Sequence, residues 1–208
     1  MTQSLDRAVR DYTIFRAHCE RLEITNNMFE DLFQGDDQQS ALMKRVCPYF
    51  FHDLNDILLN YFNVQVYKLT DRAWSKDRKN LTFLRIENDL KEHGLLGNDG
   101  DLKTITTCRE VIQAFRDNVA KDARNRVCAH LDLETVRLLD DGSEGVGIGT
   151  HQDQDREQFF EHLYRFIAIA DRLYGLEVGE IRNVGRLPGS SPKELFEWVK
   201  ARTNSSTR

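Results

Sequence analysis

Lys103 to Leu131, KTITTCREVIQAFRDNVAKDARNRVCAHL, is the stretch whose reading decides the fold. Its apolar residues Ile105, Cys108, Ile112, Phe115, Val119, Ala123 and Val127 advance by three or four positions each time, which lays one apolar stripe along an α-helix. A strand would alternate with period two. The spacing predicts a helix over 103–131 whose stripe packs against other helices.

The same period recurs on both sides. Leu5, Val9, Tyr12, Phe15, Cys19, Leu22, Phe29 and Phe33 predict a helix over 4–33, ended by Gly35-Asp36-Asp37. Residues 39–70 form a second helical region rich in aromatics (Tyr49, Phe50, Phe51, Tyr61, Phe62), expected to be the most buried element; Pro48 kinks it or starts its second half. After a polar connection at 74–79, Asn80 is placed to cap a helix reaching His93, where Gly94 supplies the stop and 94–101 a turn. Phe159, Phe160, Leu163, Phe166, Ile167, Ala170 and Leu173 predict a helix over 153–174 closed by Gly175. Ser191-Pro192-Lys193-Glu194 reads as a capping box with proline at the first helical position, opening a last helix over 191–202. Strand-like alternation is confined to Thr135–Leu139 and Val146–Ile148. The expected class is all-α, an antiparallel helical bundle over residues 1–175 with 176–208 as a C-terminal extension carrying one further helix.

With 208 residues, 40% hydrophobic and 30% charged, the chain is long enough to bury a core without metals or disulfides. The apolar stretch Val46–Leu69 is broken by His52, Asp53, Asn55, Asp56, Asn60, Asn63 and Lys68, which argues against a membrane span. Met1–Arg10 has no apolar run of the signal-peptide kind, so a cytoplasmic location is expected. Cys19, Cys47, Cys108 and Cys128 lie far apart with no CxxC spacing and read as reduced, mostly buried thiols. A zinc site drawn from His18, Cys19 or His130 is the weaker reading, and no metal or cofactor is expected. The glycine-rich stretch Gly142–Gly149 lacks the Lys-Ser/Thr ending of a phosphate-cradling loop and reads as a connector.

A net charge of −5 argues against a surface coated for non-specific duplex DNA. Charge is nonetheless uneven: between Lys103 and His130, six basic residues (Lys103, Arg109, Arg116, Lys121, Arg124, Arg126) face three acidic ones (Glu110, Asp117, Asp122). That excess surrounds Arg124-Asn125-Arg126-Val127-Cys128-Ala129-His130. Cleaving RNA without a metal requires a proton acceptor for the ribose 2′-hydroxyl, a donor for the leaving oxygen and cations to hold charge on phosphorus. Histidine and arginine supply all three. On a helix, Arg124 and His130 lie roughly 60° to either side of Val127 and so straddle the apolar seam. About 120° apart within one chain, they converge more easily across a twofold axis, Arg124 of one copy meeting His130 of another. Arg126 sits one turn from His130 and rivals Arg124 for the cationic role. Spacing alone fits a plain structural role equally: a histidine in a last turn meets the helix dipole, and surface arginines solvate a face. His18, His52, His93, His151 and His162 read as structural or surface groups.

Arg124-Asn125 followed by His130 resembles the signature of the HEPN superfamily, in which an arginine and a polar residue precede a helical histidine by a few positions. The flanking Ala129-His130-Leu131-Asp132, with Leu69-Thr70-Asp71-Arg72-Ala73 and Lys79-Asn80-Leu81-Thr82 upstream, is similar to the abortive-infection branch of that superfamily. The resemblance spans about residues 40–175. It implies a bundle of four or five helices, a homodimer pairing two motifs, RNA as substrate, an antitoxin protein as a partner, and metal-independent cleavage leaving a 2′,3′-cyclic phosphate. Carried over, His130 is the acid/base group, Arg124 the phosphate-stabilising cation and Asn125 the supporting polar residue, with Lys121 and Arg126 as RNA-binding cations. An ideal helix turns Asn125 nearly opposite Val127, so either the helix is distorted at Asn125 or Asn125 acts through a neighbour. The superfamily also contains inactive members, which implies the alternative of a helical interaction or nucleotide-binding module.

Overall fold

The computed structural model describes residues 4–75, 78–121, 153–184 and 192–205. Among these the fold is all-α. Its helices are α1 (Leu5–Phe33), α2 (Asp37–Val46), α3 (Pro48–Thr70), α4 (Phe83–Glu92), α5 (Asp99–Phe115), α6 (Asp153–Leu173) and α7 (Pro192–Ser205). A two-residue hairpin, β1 (Trp74–Ser75) with β2 (Arg78–Lys79), pairs antiparallel between α3 and α4.

α1 and α6 run antiparallel, because Tyr12 near the start of α1 meets Asp171 at the end of α6, Glu23 meets Tyr164, and Glu30 near the end meets Arg156. α5 packs against α6 in the same sense, with Phe115 on Phe159 and Asp101 on Arg172. The main core lies where α1, α3, α4, α5 and α6 converge, and an aromatic ladder of Phe15, Phe83 and Phe166 crosses it edge to face at 4.9 and 5.0 Å. Every described residue of the predicted stripe (Ile105, Cys108, Ile112, Phe115, Val119) is buried.

Several boundaries move for local reasons. α5 begins four residues ahead of Lys103, because the Asn98 side chain accepts from the Gly100 amide at 2.8 Å and caps it. The 39–70 helical region is two helices, and of its two expected roles Pro48 takes the second, starting α3. Nor is that region the most buried. Only its C-terminal half enters the core, through Phe62, Val66 and Leu69, whereas Tyr49, Phe50 and Ile57 are exposed. Its N-terminal half meets α2, the end of α1 and α7 in a second small cluster built from Leu32, Leu42, Leu58 and Phe196, which covers one side of it.

α4 is capped by Thr82, not Asn80: the Arg85 amide donates to Thr82 Oγ1 at 3.2 Å. Thr82→Ala is expected to cost about 1 kcal/mol in a denaturant titration, with an unchanged m-value. Asn80 closes the hairpin instead, its amide donating to the Ala73 carbonyl and its Nδ2 to the Arg72 carbonyl, both at 2.9 Å. Gly94 and Gly175 stop α4 and α6 as expected, at φ of 66° and 69°.

α4 is fastened to α5 through Glu87, whose buried carboxylate receives Lys91 at 2.6 Å, Thr106 at 3.0 Å and Arg109. Burial alone would raise this carboxyl, but the three donors outweigh it and hold it below the ordinary 4.5. A depressed carboxyl stabilises the fold above its unfolded value and loses that contribution as pH falls through the folded one. Glu87→Gln should therefore flatten the loss of stability below pH 4.5, measured by urea unfolding across a pH series.

Candidate functional site

The site is approached along α5. After Phe115 the chain leaves α-helical spacing for one π turn, Arg116–Ala120, and Lys121 resumes helical backbone. One extra residue in a turn lets Val119 and Ala120 both bury, and it shifts the helical phase at Lys121 by roughly 100° relative to an uninterrupted helix. π turns of this kind recur at functional sites because they re-aim the residues beyond them.

Arg116 holds the turn in place. Its Nη1 donates to the Thr70 carbonyl, the last of α3, at 2.7 Å, while Nε and Nη2 reach Asp117 Oδ1 at 2.9 and 2.7 Å. The guanidinium also lies over the Tyr67 ring at 6.0 Å from its centroid. A cation at a helix C-terminus satisfies an orphan carbonyl and complements the dipole. The Leu69–Ala73 segment and the π turn therefore meet at one contact.

Of the predicted site residues, Lys121 is described and exposed, directly beyond the π turn. Arg124, Asn125, Arg126 and His130 lie outside the described residues, as do Cys128, His151, the Gly142–Gly149 stretch and both strand-like segments. Arg116 and the π turn were missed as functional features: a regular stripe through Phe115 and Val119 gives no sign of an inserted residue, and only the exposed Asp117-Asn118 pair between buried neighbours hints at it.

The two buried thiols are not built as nucleophiles or ligands. Burial pushes the Cys108 thiol up to about 11 and raises Cys19 well above its ordinary value. Cys19 and Cys108 are buried and Cys47 is exposed, as a mostly buried set allows. His18 is exposed while its neighbour Cys19 is fully buried, so the two side chains do not face one ion. Among the described residues no three His, Cys, Asp or Glu side chains gather as a metal-binding group, and no helix is long and apolar enough to cross a membrane.

An all-α bundle, in a sequence that carries an arginine–histidine segment after α5 and its π turn, fits a HEPN-type protein. The model of the AbiU2 family of HEPN proteins matches residues 10–173, and the chain belongs to that family. It is thus an abortive-infection HEPN-like protein. No curated protein and no solved structure gives a match.

Proposed function

We propose that the chain is a metal-independent endoribonuclease, an effector of abortive infection or of a toxin–antitoxin pair, with its active site composed across a homodimer interface. The reading rests on one observation above the others: in a chain of the AbiU2 family, Arg124-Asn125 and His130 begin four residues after a π turn clamped to the end of α3. His130 takes the 2′-hydroxyl proton and returns one to the leaving 5′-oxygen. Arg124, or Arg126 in its place, holds the charge growing on phosphorus, and Asn125 supports it. Lys121 and Arg126 bind the RNA backbone, and an antitoxin protein is the natural neutralising partner. Residues 1–175 form the HEPN-like unit and 176–208 an extension, a division supported by the family match ending at 173.

Purified protein incubated with RNA in excess EDTA should cut it and leave 2′,3′-cyclic phosphate ends. Intact RNA overturns the reading, and cleavage abolished by EDTA points to a metal. A monomer by light scattering at micromolar concentration removes the composite site.

A second reading, a catalytically silent interaction module, is favoured by one feature. Val46, Tyr49, Phe50, Leu195 and Trp198 expose apolar surface where α2, α3 and α7 meet. Intact RNA in the same assay would select it.

A further inference from the structure

Trp74 is 53% exposed although indole is among the most readily buried of side chains. It stands on a hairpin of two-residue strands, too short to be stable by pairing alone. Two contacts hold it in place: Asn80 ties the strands to Arg72 and Ala73, and the Lys79 ammonium lies over the indole at 4.9 Å from the centroid. Lysine on one face fixes the ring, and half of the residue still meets solvent. Arg72, Lys79 and Lys121 are exposed, and none pairs with a described carboxylate. In a chain of net charge −5, the indole thus carries one lysine over its ring and has an exposed arginine two residues before it in the chain. Its position completes the pattern. The hairpin leaves α3 at Thr70, whose carbonyl is gripped by Arg116, five residues before Lys121.

We propose that Trp74, with Lys79 and Arg72 beside it on the hairpin that follows α3, is a stacking platform for an unpaired base of single-stranded RNA. The RNA assignment rests on the nuclease reading; the platform rests on Trp74. Any base offers a π face, so stacking on the indole binds RNA with little sequence preference. Lys79 and Arg72 then meet the phosphates on either side of that base.

The full chain carrying His130→Ala, to prevent cleavage, and Trp198→Phe, to leave Trp74 as the only tryptophan, is titrated with a short unstructured oligoribonucleotide in EDTA. Emission from Trp74 should be quenched on binding. Trp74→Ala should raise Kd about 5- to 100-fold, while Trp74→Phe retains most of the affinity. Lys79→Ala and Arg72→Ala should each reduce the salt slope of log K by about 0.7. Unchanged emission during RNA binding, an affinity within twofold for a folded Trp74→Ala, or no binding at all overturns the platform. If Trp74→Ala does not fold, the quenching arm decides. Quenching in a chain whose wild type cuts no RNA leaves the platform standing without the nuclease; cleavage without quenching does the reverse.

Discussion

Asp171→Ala is expected to lower the free energy of unfolding by about 3–5 kcal/mol, the cost of removing one partner from a buried ion pair. Asp171 at the end of α6 accepts the Tyr12 hydroxyl at 2.6 Å and the Arg16 Nε at 3.1 Å to each oxygen, and all three residues are buried. Arg16 also donates to Glu20 and to the Gly179 carbonyl, so the same side chain fastens α1, α6 and the segment after Gly175. Removing the carboxylate leaves the buried Arg16 Nε without its acceptor and the Tyr12 hydroxyl with only the Ile167 carbonyl at 3.2 Å. Glu20 compensates only in part, because it lies one turn along the same helix. For a chain of this size the loss corresponds to a fall in Tm of roughly 10 °C. Asp171→Asn keeps an acceptor for Tyr12 and should cost about half as much. A change below about 1 kcal/mol in the alanine variant, by urea titration, would show that the Asp171 cluster adds little to the joint between α1 and α6.

Periodicity measures which residues of a helix avoid water, so α1, α5 and α6 were legible in the sequence from Leu5, Ile105 and Phe159 onward, and glycine stops set two of the ends. It does not say how much neighbouring structure arrives to cover a stripe. The aromatic first half of α3 looked like the deepest core yet leaves Tyr49 and Phe50 exposed, because only α2, α7 and the end of α1 reach it. Hydrogen bonds between distant positions left no pattern at all. Nothing in Asn80 distinguishes a helix cap from a hairpin tie, and nothing in Thr70 announces that Arg116 will bind it 46 residues later. The candidate site was legible as a string of residue types, because acid/base and phosphate chemistry restrict those types severely. Its approach was not: an inserted residue changes the phase of a helix without changing its composition.

The composite site makes the sharpest demand on that string, since Arg124→Ala and His130→Ala should each be inactive alone and active together. Loss of the histidine removes general acid–base catalysis, worth about 10²–10⁴ in rate, and loss of the arginine removes a charge-stabilising donor worth about 10²–10³. If each site takes Arg124 from one chain and His130 from the other, a dimer of one Arg124→Ala chain with one His130→Ala chain holds one intact site and one doubly damaged one. Random exchange of the two variants makes about half the dimers mixed, so the mixture should recover about a quarter of wild-type cleavage. Were both residues supplied by one chain, no dimer in the mixture would hold an intact site. Activity would then stay at the level of the single variants at every mixing ratio. The measurement is cleavage of a labelled RNA in EDTA as the ratio varies, with subunit exchange followed separately by light scattering of a size-tagged copy. Arg126→Ala mixed with His130→Ala settles the remaining choice, because only the arginine that completes the partner's histidine is rescued in this way.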